Sequence, residues 1–328
     1  MNSRNLNIHI FERHKVHLEK IEHELSKFLA SRVNLAEDMG RHTLLARGKR
    51  LRPLIFILSA QICGYHGEDL HRFAVVFETI HAASLLHDDV LDNAEIRRKK
   101  PAANQLWGNH AAIMEGDFLY AKASRMALES GNLSFLEVLV DTIMQMAEGQ
   151  ILELTHTNTW QTSRETYMEI IKAKTAVLIS AACACGAILS KAEEKKREHL
   201  ARFGLNIGIA FQLIDDLLDY TSSAEVFGKP VGKDLREGKV TLPLIYTLPR
   251  IQPSEREKLK GFFKQPQPEE DDFKYVIELV RSNGALERIQ QEAESFMDEA
   301  ETFLDIFPDS PAKSDLLELN RSLMDRTY

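Results

Sequence analysis

Two acidic segments carry the chemistry of this sequence. They are His87-Asp88-Asp89-Val90-Leu91-Asp92 and Gln212-Leu213-Ile214-Asp215-Asp216-Leu217-Leu218-Asp219, with 127 residues from Asp88 to Asp215. Each reads DDxxD inside an apolar stretch of helical period. Residues four apart stack on one face of a helix, so Asp88 points with Asp92 and Asp215 with Asp219, leaving Asp89 and Asp216 on the flank. Six carboxylates among leucines repel one another and lose hydration, which drives some towards their protonated forms unless cations lie nearby. Oxygen donors without Cys or His pairs favour Mg²⁺, which keeps waters and bridges protein carboxylates to substrate phosphates. Two solvated acidic surface helices would also gather aspartates. Charged residues rarely sit among leucines unless paired or metal-bound, however, and here the arrangement occurs twice.

Three basic groupings complement the acids. Gly48-Lys49-Arg50-Leu51-Arg52-Pro53 falls at an expected helix start with Pro53 in its first turn, where helix-start amides, Lys49 and Arg52 make an anion site. Arg97-Arg98-Lys99-Lys100 follows the first acidic segment on what reads as the same helix. Arg97 then lies a turn and a half beyond Asp92, and neighbouring side chains diverge by about 100°, so the arginine pair could hold two different phosphate groups. The same run would equally complement a helix C-terminus. Lys174-Thr175, Lys229 and Lys239 form the third grouping. His81, seven residues before Asp88, shares its face and is either a satisfied core residue or a phosphate donor. His87 either coordinates or simply packs. Acids and bases together predict a site for two polyanions.

Composition narrows the classes. A chain of 328 residues allows one large domain or two small ones, and 44% hydrophobic residues suffice for a sizeable core. The net charge of −8 and pI near 5.9 argue against general affinity for nucleic acid or anionic membrane, so an anionic substrate must be held by local bases and metal. Cys63, Cys183 and Cys185 form no CxxC pair and read as core thiols of a reducing cytoplasm. Residues 1–13 show no signal-peptide h-region, and the longest apolar run, 176–190, is shorter than a membrane span of about 20 residues. The expectation is a soluble cytoplasmic protein.

These groups need elements to hold them. Helical period dominates and no convincing alternating strand appears. Helices are expected at about 10–31, 36–46, 52–63, 68–98, 104–129, 133–157, 164–190, 194–222, 239–249, 253–263, 270–282, 286–305 and 312–326. Gly64 and Gly67, Gly131-Asn132, residues 227–232 and residues 265–272 punctuate them. No long linker separates the parts, so one all-α domain over 1–328 is expected. Its helix bundle would open at one end into a metal-lined cavity, across which the two acidic segments could face each other.

The set Gly48 to Pro53, Asp88-Asp89-Val90-Leu91-Asp92 with Arg97-Arg98, Lys174-Thr175, Phe211 to Asp216 and Gly228-Lys229-Pro230 resembles the trans-isoprenyl (polyprenyl) diphosphate synthase family, from about residue 45 to 250 and in family order. The resemblance implies an all-α isoprenoid-synthase bundle, usually a homodimer, that condenses an allylic diphosphate with isopentenyl diphosphate. It implies Mg²⁺, three ions once the diphosphate is bound, on Asp88, Asp92 and Asp215, with Asp89, Asp216 and Asp219 in support. Arg97, Lys174, Thr175, Gln212, Lys229 and Lys239 would contact the allylic diphosphate; Lys49, Arg52, His81 and Arg98 would hold isopentenyl diphosphate. One departure is visible: the family commonly has Gly after the arginine pair, where this chain has Lys99.

Product length should depend on residues just above Asp88. A bulky aromatic five or four positions before Asp88 is similar to the floor of short-chain members, whereas Ala83-Ser84 leaves the path open. A long, octaprenyl-like product is therefore expected. The alternative is that Ala83 and Ser84 only allow close helix packing, with a deeper floor at Met114, Phe118 or Met126. A short-chain synthase, or a catalytic subunit that needs an unlike partner, remains open. A terpene cyclase should lack the second DDxxD and the Gly48-to-Pro53 motif.

Overall fold

The helical period of the sequence is realised almost throughout residues 9–46, 48–221, 231–265 and 267–322, which the computed structural model describes. The helices are α1 (Lys15–Phe28), α2 (Asn34–Leu44), α3 (Leu51–Ile62), α4 (Asp69–Leu91), α5 (Ala103–Trp107), α6 (Asn109–Glu129), α7 (Leu133–His156), α8 (Arg164–Ile171), α9 (Val177–Leu189) and α10 (Glu194–Thr221). They continue with α11 (Lys233–Arg236), α12 (Leu242–Thr247), α13 (Pro253–Lys264), α14 (Glu270–Ser282), α15 (Ala285–Phe303) and α16 (Pro311–Ser322). Among the described residues the strands are β1 (Ile96–Arg97) and β2 (Lys100–Pro101), paired antiparallel. The chain is thus all-α apart from one small hairpin.

Two compact units emerge. The first takes the described part of residues 1–144 with Leu178–Gly204 and Phe303–Leu319. Its centre is α4, apolar on nearly every face and packed against α3 and α6. Phe56, Phe73, Phe77 and Phe135 interlock with ring centroids 5.2 to 6.1 Å apart. Gly186 on α9 meets α3 backbone to backbone: a Cβ there would lie 2.7 Å from the Phe56 carbonyl oxygen. Cys183 and Cys185 are buried free thiols, as expected for core residues. Arg13 and His14 tie the N-terminal region to α16 through Asp315, with His14 Nε2 2.9 Å from Asp315 Oδ2.

The second unit takes Gln145–Val177, Leu205–Thr302 and the described part of residues 320–328. Leu213, Tyr220, Leu242, Val276, Val280 and Ile289 are central to its core. Arg281 Nε donates to the Tyr220 carbonyl at 2.7 Å, fixing the end of α10 to α14. Arg164 donates to the Tyr246 hydroxyl at 2.9 Å and pairs with Glu292, while Arg288 covers the Tyr246 ring at 3.8 Å.

Four expected helices are revised, among them that over 104–129, which Gly108 at φ 83° divides into α5 and α6. The helix expected over 68–98 stops at Leu91, and Asn93 turns left-handed at φ 48°. Arg98 and Lys99 then both take positive φ, 51° and 65°, forming the two-residue turn of the hairpin. Arg97 is therefore on a strand, not a turn and a half along a helix. The expected helix over 164–190 contains a π-helical segment, Lys172–Ala176. The helix expected over 239–249 shrinks to α12, and α11 precedes it. The run Arg164–Leu189 is long and apolar enough by length and composition to cross a membrane, but 67% of its most apolar window is buried within the fold.

Candidate active site

Each acidic motif lies at the C-terminal end of a long helix, where the helix dipole is negative and carboxylates are least welcome. Asp92 is the residue that closes α4, and Asp219 lies two positions before the end of α10. The two motifs also share a burial pattern. Their second aspartates are nearly inaccessible, Asp89 at 3% and Asp216 at 2%, whereas Asp88, Asp92, Asp215 and Asp219 are half-buried.

In the first unit Asp89 is held from two sides. Arg97 Nε donates to its Oδ1 at 2.8 Å, with Nη2 on the same oxygen. Asn104 Nδ2 donates to its backbone carbonyl at 3.1 Å. Arg97 thereby reaches the motif across the hairpin. Arg98 Nη1 donates to the Ala46 carbonyl at 3.3 Å and lies 3.1 Å from where a Gly48 Cβ would stand, so the Gly48 loop abuts it. His81, Arg97 and Arg98 line a small cavity of about 30 Å³. Burial first, then the charges of Arg52, Arg98, Arg97 and Arg50, push the His81 imidazole well below its ordinary range. A neutral His81 keeps one N–H to donate, which suits a core residue and a phosphate donor alike. Lys49 is exposed.

Arg50 was passed over in the sequence because it sits inside a basic run. It is 3% exposed and left-handed at φ 52°. Its guanidinium donates to Glu22 at 2.6 Å, to Glu78 at 2.8 Å and to the Leu44 carbonyl at 2.6 Å. Arg50 is a structural pin, and only the fold reveals that. His87 Nε2 lies 3.1 Å from the Ile113 carbonyl and 3.4 Å from Asp117 Oδ1, and a Cβ on Gly116 would lie 2.3 Å from the ring.

In the second unit Lys174, Thr175, Gln212, Asp216 and Lys239 line a cavity of about 140 Å³. Thr175 Oγ1 donates to Gln212 Oε1 at 2.8 Å, and Gln212 Nε2 donates to Asp216 Oδ1 at 2.7 Å. Tyr167, which no sequence pattern marked, donates its hydroxyl to Asp216 Oδ2 at 2.7 Å. Burial pushes the Asp216 carboxyl up to about 7, with Asp215 and Asp219 adding to the shift against these hydrogen bonds. Asp219 accepts the backbone N–H groups of Lys233 and Asp234 at 2.9 and 3.0 Å. Asp234, also missed, is pushed well up by burial and then by Asp216 and Asp219. Lys229 and the Gly228-Lys229-Pro230 segment lie outside the described residues.

The donor set suits a hard cation. It consists of carboxylates at negative helix ends, one of them, Asp216, already driven towards protonation by burial first and then by Asp215 and Asp219. Among the described residues no three His, Cys, Asp or Glu side chains converge to hold a metal by themselves. Water and phosphate oxygens would have to complete the shell, as is usual for Mg²⁺.

Of the residues expected to gauge product length, Ala83 is 0% exposed, and Ser84 Oγ donates to the His81 carbonyl at 2.9 Å. Met114 is 66% exposed, so it is no internal floor within this chain. Phe118 and Met126 are half-buried, and Lys122 Nζ lies 5.3 Å from the Phe118 ring centroid.

Comparison with known proteins places this arrangement. A family model described as Polyprenyl synthetase matches residues 33–280, more than the 45–250 legible from motifs. The chain is 38% identical over 291 residues to the octaprenyl diphosphate synthase of Escherichia coli (strain K12), covering 89% of this chain and 90% of that one. It is 35% identical over 313 residues to heptaprenyl diphosphate synthase component 2 of Geobacillus stearothermophilus, covering 95% and 96%. A crystal structure of a polyprenyl synthase from Caulobacter crescentus, complexed with calcium and isoprenyl diphosphate, superposes with a TM-score of 0.93 at 35% identity, covering 98% of both chains.

Proposed function

This chain belongs to the polyprenyl synthetase family, and from that premise we propose that it condenses isopentenyl diphosphate with an allylic diphosphate to give a long trans-polyprenyl diphosphate. The observation that carries the reading is the burial pattern repeated in the two motifs. In each, the second aspartate is satisfied inside the protein by Arg97 or by Tyr167 and Gln212, while the first and fifth stay half-buried at a negative helix end. We assign Asp88, Asp92 and Asp215 as the ligands of Mg²⁺, with Asp89, Asp216 and Asp219 supporting them. The crystal structure from Caulobacter crescentus carries calcium and isoprenyl diphosphate, which supports a divalent cation beside a diphosphate.

The slow step breaks the allylic C–O bond, and its electron pair leaves on the diphosphate. Mg²⁺, when bound, neutralises charge on that leaving group. Arg97, Lys174, Lys229 and Lys239, with Thr175 and Gln212, hold the departing diphosphate and stabilise charge that is larger in the transition state than in the ground state. Arg97 is suited to this because Asp89 fixes its guanidinium before substrate arrives. Lys49, Arg52, His81 and Arg98 hold isopentenyl diphosphate, whose double bond attacks the allylic cation. The released diphosphate then takes the proton that the new cation loses. Apolar side chains such as Ala82, Ala83 and Leu86 keep water from the cation.

The long-chain reading rests on Ala83 and Ser84 and is supported by the octaprenyl and heptaprenyl names of these relatives. A second reading, a catalytic subunit that needs an unlike partner, is favoured by likeness to a protein named as one component of a heptaprenyl synthase. We also propose a cytoplasmic homodimer of single-domain subunits. Met114, Leu128, Leu133 and Met144 are each 54 to 67% exposed, and apolar side chains so exposed support burial against a second copy.

A product assay on the purified chain tests these readings, supplying Mg²⁺, isopentenyl diphosphate and farnesyl diphosphate and sizing the dephosphorylated products. A ladder ending in a long prenyl chain is expected. A stop at a short product would discard the chain-length reading alone. No product from folded protein would favour the partner-dependent subunit.

A further inference from the structure

Glu153 belongs to neither acidic motif, yet it sits on two of the lysines assigned above to the diphosphate. Its Oε2 accepts from Lys174 Nζ and lies 4.0 Å from Lys239 Nζ. Gln150 Nε2 donates to the same oxygen at 3.3 Å. The three charged side chains are only 17 to 20% exposed, so this is no solvated surface pair. The backbone builds the contact in. Gly149, one turn before Glu153, lets α7 run against the π segment, and a Cβ there would lie 3.2 Å from Lys174 N. Lys239 leans on a second carboxylate, Glu237, at 2.6 Å.

The lysines of this cavity already face an anion of the protein's own, since Glu153 lines it together with Lys174 and Lys239. A diphosphate that engages the two lysines must take them from the Glu153 carboxylate, which presents to them the same kind of anionic oxygen that a phosphate does.

We propose that Glu153 is the internal counter-anion of the diphosphate subsite: it pairs with Lys174 and Lys239 while no diphosphate is bound and competes with diphosphate for them. It thereby sets how tightly the allylic substrate and the released diphosphate are held. This rests on the assignment of Lys174 and Lys239 under the proposed function. Competition and mere positioning differ in sign. A carboxylate that only steadies the lysines would strengthen diphosphate binding, whereas a competitor weakens it.

Glu153→Gln keeps the length and hydrogen-bonding capacity of the side chain and removes the charge. Calorimetric titration of inorganic diphosphate, with Mg²⁺, into the full-length variant should give a Kd about tenfold lower than for the unaltered chain. In turnover, KM for isopentenyl diphosphate should not move. Glu153→Asp, a gentler change should the first variant fold poorly, withdraws the carboxylate by one methylene and should give an intermediate Kd. A Kd unchanged or raised in either variant overturns the proposal. If the unaltered chain binds diphosphate and Lys174→Ala does not weaken it, the lysine assignment itself is overturned. If Lys174→Ala weakens binding but Glu153→Gln does not tighten it, only the role of Glu153 falls.

Discussion

Gly149 and Ala173 approach so closely that a Cβ on Gly149 would lie 2.5 Å from the Ala173 methyl carbon. On the other side of the same π segment, a Cβ on Gly208 would lie 2.4 Å from the Ala176 Cα. Two glycines on α7 and α10 thus crowd the one stretch where the helix widens to five-residue hydrogen bonding, and that stretch carries Lys174 and Thr175. Wide helical turns of this kind recur at functional sites because they re-aim side chains without ending the helix.

Gly149→Ala should therefore do more than lower stability. Overpacking costs about 1–3 kcal/mol, offset in part by the roughly 0.5–1 kcal/mol that alanine gains over glycine within a helix. The expected outcome is a lower Tm together with a several-fold higher KM for the allylic diphosphate, because the added methyl pushes on the segment bearing Lys174. KM for isopentenyl diphosphate should stay constant. Unchanged Tm and KM would mean that the two helices have room to spare.

Lys99 occupies the left-handed turn position at φ 65°, where the resembling family commonly has glycine. A side chain there costs about 1–2 kcal/mol in backbone strain, while glycine gives back roughly 0.5–1 kcal/mol through the unfolded chain. Lys99→Gly should leave the fold equally stable or up to about 1 kcal/mol more stable, with turnover retained because Arg97 and Arg98 keep their places. Thermal melts and steady-state rates check this. A clear loss of stability would show that the Lys99 side chain makes a contact worth more than the strain.

The difference between what the sequence disclosed and what it hid follows from where the information lies. Both DDxxD motifs, the Lys174-Thr175 pair and Gln212 were legible because they are local patterns of type and spacing. Tyr167, Asp234 and Glu153 were not, since each matters only through a partner far along the chain: Tyr167 through Asp216, Glu153 through Lys174. Arg50 was read among phosphate ligands' neighbours, yet its acceptors are Glu22 on α1, Glu78 on α4 and the Leu44 and Ala46 carbonyls at and just after the end of α2. The hairpin was missed for another reason. Arg97-Arg98-Lys99-Lys100 has no apolar period of either kind, and its left-handed turn residues are not glycines, so neither periodicity nor turn signals could reveal it.

Glu115 offers a test that owes nothing to substrate. It is buried on α6, its Oε1 has no hydrogen-bond partner, and desolvation raises its carboxyl from the ordinary 4.5 to about 7, with Lys122 opposing. A raised folded-state value means that this group's contribution to stability is complete below about pH 4.5 and is lost as pH rises through 7. Glu115→Gln should therefore leave Tm nearly unchanged below about pH 4 and raise it at pH 8. At roughly 1.4 kcal/mol per tenfold change in proton affinity, discounted for incomplete exclusion of water, the gain at pH 8 is about 2 kcal/mol. Equal Tm values for both proteins at pH 8 would mean that Glu115 is solvated or paired when ionised.

Ala83 is fully buried, so it is packed as the structure stands, and a path for the growing chain past it would have to open when that chain is bound. Ala83→Phe separates a contact that stays packed from such a path because they respond on different readouts. In a close-packed interior a phenyl ring has no room, and overpacking lowers stability by about 1–3 kcal/mol with product length unaffected in whatever protein remains folded. Along a prenyl path the ring fills space otherwise held by substrate, so Tm changes little and the product ladder stops early. The shortened ladder with a retained Tm is the expected result. A full-length ladder from a well-folded variant would move the floor away from Ala83. Met114 would not inherit it within a single chain, being 66% exposed, and Phe118 is the next residue to test.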